Sequence, residues 1–166
     1  MALRRGRRIG VDVGLARVGV ASCDPDGVLA TPVATLTRDL EGADDIDALV
    51  RLVGEQEAIE VVVGLPLSLS GGEGAAATAV RDYARVLGGR LGAVPVRLVD
   101  ERLTTVDAHR DLRASGVSGR AQRAVVDQAA AVLILQGALD LERSSGNPPG
   151  ELVPMKRRKP RTKDGR

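Results

Sequence analysis

The stretch IEVVVGLP, Ile59 to Pro66, narrows most what this chain can fold into. Its centre, Val61–Val63, is apolar without alternation, which is typical of a strand buried on both faces. Such a strand needs helices above and below it. The flanking sequence supplies them: Asp44–Glu57 has helical spacing through Ile46, Leu49, Val50 and Val53, and Ala75–Leu91 sets Val80, Ala84 and Leu87 on one face. VPVRLVDE, Val94 to Glu101, reads as another strand. Upstream, Arg7–Gly14, Val18–Cys23 and Val28–Leu36 read as an antiparallel meander. Leu15–Arg17 and the DPDG turn at 24–27 connect these strands, and Pro32 places the third at an edge. Downstream, Thr104–Ala114 and Arg120–Arg143 read as helices, Thr104 and Asp107 forming a weak capping box. The order βββαβαβαα predicts an α/β fold with a five-stranded mixed sheet flanked by helices on both faces.

The core of this sheet must be aliphatic, because the 166 residues include no Trp, no Phe and one Tyr, Tyr83. The length suits one domain, expected over 1–143. Residues 144–166 read as a basic tail unable to form a core. No apolar run is long enough for a membrane span, and MALRRGRRIG lacks the apolar centre of a signal peptide, so a cytoplasmic protein is expected. Cys23 alone allows no intrachain disulfide or multi-cysteine metal site and reads as a small core residue. The net charge of +2 hides a segregation. The tail carries +5 and Arg4, Arg5, Arg7 and Arg8 carry +4, which leaves −7 for residues 9–143. Basic ends on an acidic body suit a polyanion partner or a solubilising tail.

Three acids stand where acids are costly. Asp12 lies in IGVDVG, between glycines and strand-forming valines. Glu101 ends VRLVDE, where alternation sends Asp100 and Glu101 to opposite faces. Asp127 lies in AVVDQAAAVLILQ, a helix segment apolar on nearly every side. Taken singly, Asp12 can bond a turn, Asp100 or Glu101 can cap a helix, and Asp127 can pair with Arg123. Taken together, two acids at strand ends and one on a helix packed against the same sheet fit the place where open α/β sheets bind ligands. His109, the only histidine, reads as an ordinary helix residue. Carboxylates without imidazole or thiolate select Mg²⁺ or Mn²⁺. Such ions acting on a phosphodiester suggest metal-assisted hydrolysis.

The surrounding residues suit an anionic substrate. Arg120 and Arg123 share a helix face with Asp127, Arg102 follows Glu101, and Arg17 follows the Asp12 strand. In GLPLSLSGGEG, Gly64 to Gly74, open backbone and the hydroxyls of Ser68 and Ser70 could hold phosphate at a helix start, although no Walker motif is present. Lys156, Arg157, Arg158 and Lys159 form the densest basic run of the tail.

IGVDVGLARVGVA, VVVGLPLSLSGGEG, VDERLTTVDAH and VDQAAAVLILQ together resemble the YqgF/RuvX family of RNase H-like proteins, from about Arg8 to Leu141. The resemblance implies an RNase H-like fold with sheet order 3-2-1-4-5. It also implies a Mg²⁺- or Mn²⁺-dependent endonuclease whose acids fall on Asp12, Glu101 and Asp127. Family members are assigned to maturation of the 5′ end of pre-16S rRNA and to Holliday-junction resolution, so pre-rRNA and branched DNA are the expected partners. Two symmetric cuts in a four-way junction would call for a homodimer. That sheet order poses a difficulty: the Glu101 strand would lie two spacings, about 9–10 Å, from the Asp12 strand. Asp12 and Asp127 are therefore the firmer pair.

Two other functions fit parts of the sequence. DVGLAR also resembles the opening of sugar kinases and actin, but those need two such domains to enclose ATP. A nucleic-acid-binding ribosome-assembly factor that cuts nothing would use the basic tail equally well. A single aromatic residue, Tyr83, makes no platform to stack on bases, which favours recognition through backbone shape and charge.

Overall fold

The computed structural model describes residues 3–103 and 120–154. The expected helix at Thr104–Ala114, His109, and the run from Lys156 to Lys159 lie outside the described residues, as do the side chains of Arg120 and Arg123. Six strands form one sheet: β1 (Arg8–Val13), β2 (Arg17–Cys23), β3 (Ala30–Thr37), β4 (Glu60–Leu65), β5 (Val96–Asp100) and β6 (Glu151–Leu152). The order is β3-β2-β1-β4-β5-β6. β1 is antiparallel to β2, and β2 to β3, whereas β1, β4 and β5 run parallel. The expected order is present, with one strand added. β6 pairs antiparallel with the edge of β5, and Val153 behind it is buried in the core. Packing therefore extends beyond Arg143, where the tail was expected to begin.

α1 (Asp44–Glu55) and α2 (Ala75–Leu91) cover one face of the sheet. Their Ile46, Leu49, Val53, Val80, Ala84 and Leu87 pack on Ile9, Val11, Val61 and Val63. α3 (Arg120–Ser145) covers the other face, with Ala131, Ile134, Leu135 and Ala138 against Ala21, Val62 and Val99. The run at Val61–Val63 is apolar because its residues alternate between these two cores. β3 begins two residues later than the pattern suggests. Asp24 accepts hydrogen bonds from the amides of Asp26, Val28 and Leu29, which keeps Val28 and Leu29 in the turn. Pro32 lies on the edge strand as expected, beside a register shift opposite Val20 and Ala21. Cys23 is buried and free, and burial pushes its thiol up.

α3 comes unusually close to the sheet because glycines meet it. A Cβ on Gly10 would lie 2.9 Å from the Ala131 carbonyl oxygen, and one on Gly19 only 2.0 Å from that of Asp127. The second obstacle is backbone and cannot rotate away. Gly19→Ala is expected to cost about 3 kcal/mol or more, the upper end of overpacking penalties, measured by urea unfolding.

The N-terminal arginines differ from the expectation that they face a polyanion. Arg8 is buried and bonds Glu142 at 3.1 Å. Arg4 bridges Glu142 and Glu60, and Glu60 also accepts from Arg97 at 3.0 Å. Arg5 pairs with Asp26. Much of the positive charge at the start of the chain is therefore spent on holding α3 to β1, β4 and β5.

Candidate active site

Along β1, Ile9 and Val11 belong to the core under α1 and α2, so Gly10 and Asp12 face α3. On β4, Val62 and Gly64 share that face, and on β5 Val99 does. Glu101, two residues beyond Val99, opens a short 3-10 turn (Glu101–Leu103) on the same side. Asp127 reaches the site from above. Its carbonyl lies over Gly19, which is the cross-strand partner of Asp12. Three acids far apart in sequence thus stand at one end of the sheet, Asp12 and Glu101 at the carboxyl ends of β1 and β5 and Asp127 on α3 above.

β4 does separate Asp12 from the Glu101 strand, and Gly64 resolves the difficulty. Val11 pairs with Val63, so Gly64 stands beside Asp12, while on its other side it pairs with Val99. A Cβ built on Gly64 would lie 3.0 Å from both Cγ and Oε1 of Glu101. The glutamate side chain crosses the strand through the space that a side chain at 64 would fill. It reaches Asp12 and hydrogen-bonds it. The sequence signal for this was a lone glycine interrupting VVVGLP.

The pairing of two carboxylates has an electrostatic consequence. Burial, then the charge and hydrogen bond of Asp12, push the Glu101 carboxyl up to about 7 from an ordinary 4.5. The proton that joins the pair is retained near neutrality. Because the folded value lies above the unfolded one, the resulting stabilisation is complete below about pH 4.5 and is lost as pH rises through about 7. Metal-free protein should therefore weaken across that window in urea titrations, and Glu101→Gln should flatten the dependence.

Asp127 has a different partner. Its Oδ2 accepts from Arg17 Nε at 2.7 Å. Arg17 is held in turn by its loop: the Gly14 amide bonds the Arg17 carbonyl, and Arg38 donates to the Gly14 carbonyl, each at 2.8 Å. Arg38 also lies 5.1 Å over the ring of Tyr83. Among the described residues, no three His, Cys, Asp or Glu side chains cluster closely enough to cage a metal. The arrangement is a carboxylate pair, Asp12–Glu101, with Asp127 held nearby by a guanidinium. The sequence made Asp12 and Asp127 the firmer pair of the three acids, whereas here it is Glu101 whose carboxyl joins Asp12.

The expected phosphate loop is closed on itself. Ser68 Oγ meets Ser70 Oγ at 3.0 Å and accepts from the Gly72 amide at 3.0 Å. Arg102 grips Asp100 with two nitrogens and also donates to the carbonyls of Ser68 and Leu69. Its guanidinium holds the Asp100 carboxyl below the usual range. Arg102 thus ties this loop to Asp100, the residue before Glu101.

Comparison with known proteins bears on the family and the fold. A family model described as "RuvX: Holliday junction resolvase" matches residues 6–141. A protein of Streptomyces coelicolor is 62% identical over 152 residues, covering 91% of this chain and 90% of that one. One of Thermobifida fusca is 56% identical over 159 residues, covering 91% and 98%. Both carry the name "Putative pre-16S rRNA nuclease". Among solved structures, Thermus thermophilus RuvC in complex with a Holliday junction substrate matches with a TM-score of 0.56 at 14% identity, covering 87% of this chain and 99% of that one. At that identity the likeness concerns the fold alone. The family match across most of the chain and the close relatives settle its place: it belongs to the RuvX nuclease family, on an RNase H-like fold.

Proposed function

We propose that this protein is a metal-dependent endonuclease that cuts structured nucleic acid, with the 5′ end of pre-16S rRNA and four-way DNA junctions as its substrate candidates. The observation that carries this reading is the Asp12–Glu101 pair brought together across Gly64. Without that shared proton, two half-buried carboxylates side by side are costly unless a cation takes its place. The donor set is all oxygen, which fits Mg²⁺ or Mn²⁺ and excludes the soft-ligand metals. Asp12 and Glu101 would hold the ion, and Asp127 would join them on leaving Arg17. Bound there, the ion would supply an activated water and would stabilise the leaving oxygen.

The chain's own residues have separable tasks. The Asp12–Glu101 pair gives up its proton to bind the ion. Arg17, released from Asp127, turns its guanidinium to a substrate phosphate. Arg102 keeps the Ser68–Gly72 loop beside the site. Arg120, Arg123 and the basic run at Lys156, Arg157, Arg158 and Lys159 add phosphate contacts. The deciding experiment compares cleavage of a precursor 16S rRNA 5′ leader and a four-way DNA junction, with Mg²⁺, with Mn²⁺ and with neither. Cleavage that requires the ion supports the nuclease.

The Arg17–Asp127 pair also suits a second reading, a ribosome-assembly factor that binds nucleic acid without cutting it, because that pair needs no metal. Binding that is salt-dependent, indifferent to the ion and followed by no cleavage selects this alternative.

A further inference from the structure

The most exposed large apolar side chains among the described residues are Leu69 at 99%, Leu15 at 89% and Leu40 at 77%. They lie on three different loops. Leu15 follows β1, Leu40 follows β3 and Leu69 follows β4. These strands point the same way, because β3 is antiparallel to β2, β2 is antiparallel to β1, and β4 is parallel to β1. All three leucines therefore emerge at the end of the sheet that carries Asp12 and Glu101. Val125, also exposed, stands two residues before Asp127 on α3 at that end. The remaining exposed apolar side chains among the described residues are Val28 and Leu29 in the hairpin at the far end, Val86 on α2, Leu141 on α3 and Leu152 on β6.

Each of the three leucine loops is pinned. The Leu69 loop is closed by the Gly71 amide on the Ser68 carbonyl at 2.8 Å and by Arg102 on the Leu69 carbonyl at 3.4 Å. The Leu15 loop is closed between Gly14 and Arg17 at 2.8 Å. Beside Leu40, Asp39 accepts from the amides of Glu41, Gly42 and Asp44. The arginines nearby are engaged: Arg17 bonds Asp127, Arg102 bonds Asp100 and Arg38 donates to the Gly14 carbonyl. Leu40 stands apart from the other two: it lines a groove with Ile46, Ala79 and Val86 on the α1 and α2 side of the sheet, and Asp39, Glu41 and Asp44 flank it. The bare tips of Leu15 and Leu69, beside a site read as taking a phosphodiester, match a partner that carries flat apolar groups next to its anionic backbone. A continuous protein-docking patch would have a different form. Nucleic acid with exposed bases is such a partner. The one aromatic side chain, Tyr83, is buried among the core residues under α1 and α2, so base contact at this end falls to aliphatic groups.

We propose that Leu15 and Leu69 form an apolar rim that packs on unpaired or unstacked bases next to the bound phosphodiester, and so select nucleic acid with interrupted pairing over continuous duplex. This rests on the nuclease reading above. The two leucines touch little of the protein, so their replacement leaves the fold in place, and circular dichroism and unfolding midpoints verify this. The test compares the full chain with Leu69→Ser and with the double Leu15→Ser, Leu69→Ser variant. Affinity is measured by fluorescence anisotropy, with Ca²⁺ as the only divalent ion, for a four-way DNA junction, an RNA hairpin with single-stranded flanks, and a continuous duplex of equal length.

The double variant should bind the junction and the flanked hairpin about tenfold more weakly, a loss on the scale of one base contact. Its affinity for the duplex, and its dependence on salt, should not change, because no phosphate contact is removed. A 2-aminopurine beside the branch should brighten on binding the wild type and not the variant. Equal losses on all three nucleic acids, or no loss, would overturn the rim while leaving the nuclease reading intact. So would unchanged nucleic-acid binding with lost binding to protein-containing ribosomal precursors, which would make the rim a protein contact. A wild type that binds none of the three would overturn both.

Discussion

Asp12→Asn should reduce cleavage at least about 10³-fold, a loss of ~4 kcal/mol of transition-state stabilisation, while the protein stays folded. The substitution keeps the size and planarity of the side chain and removes its charge. The register of β1 does not depend on that charge: Gly10–Ala21, Asp12–Gly19 and Val13–Val18 pair through backbone. An amide at 12 can still bond Glu101, so the pair stays joined. Without the Asp12 charge, Glu101 should titrate below its value of about 7, though burial, the larger cause, keeps it above an ordinary glutamate. Three readouts therefore separate. Cleavage disappears, the unfolding midpoint stays level or rises, and the Glu101 carboxyl resonance titrates lower. Binding to uncut nucleic acid without a divalent ion should strengthen, since one carboxylate repelling phosphate has gone. Undiminished cleavage by the variant, purified free of contaminating nuclease, would remove Asp12 from the mechanism.

What could be read from the sequence has a physical boundary. The Val61–Val63 run required cover on both faces, and α1, α2 and α3 provide it because a parallel strand at the centre has nowhere else to put its side chains. Asp12, Glu101 and Asp127 were conspicuous because each breaks a local rule, and local rules are what a sequence displays. Their mutual arrangement was not conspicuous. Read alone, Asp127 could pair one helical turn away with Arg123, whose side chain lies outside the described residues; its described partner is Arg17, 110 positions away, which only the folded sheet brings near. β6 was missed because Glu151–Leu152 is two residues long, after a Pro-Pro-Gly break that reads as the end of structure. Arg8 was counted with a basic surface because charge patterning cannot tell a solvated arginine from one buried on Glu142. The glycines were the deepest omission. The sequence does not show what Gly10, Gly19 and Gly64 admit: they are where α3 and Glu101 approach the sheet.

Gly64→Ala tests that last point, and its effect should be large on activity and moderate on stability. The added methyl would meet Ile134 Cδ1 at 2.5 Å and Glu101 Cγ and Oε1 at 3.0 Å. Of these, Ile134 is confined in the buried core of α3, whereas the Glu101 side chain can swing toward solvent. It should therefore be Glu101 that yields, leaving Asp12. Misplacing a participating group by about 1 Å can cost about 10²-fold in rate, so a loss of that order in kcat is expected, with the affinity for uncut nucleic acid unchanged. Stability should fall by about 1–3 kcal/mol from overpacking against Ile134. The two effects can be separated. Adding Ile134→Val removes the nearest obstacle, so the double variant should regain stability without regaining cleavage. Glu101→Asp, one carbon too short to cross β4, should reproduce the loss of kcat with no packing strain. If the double variant recovers both stability and cleavage, Gly64 serves only the seating of α3, and the passage of Glu101 over β4 is not what the site depends on.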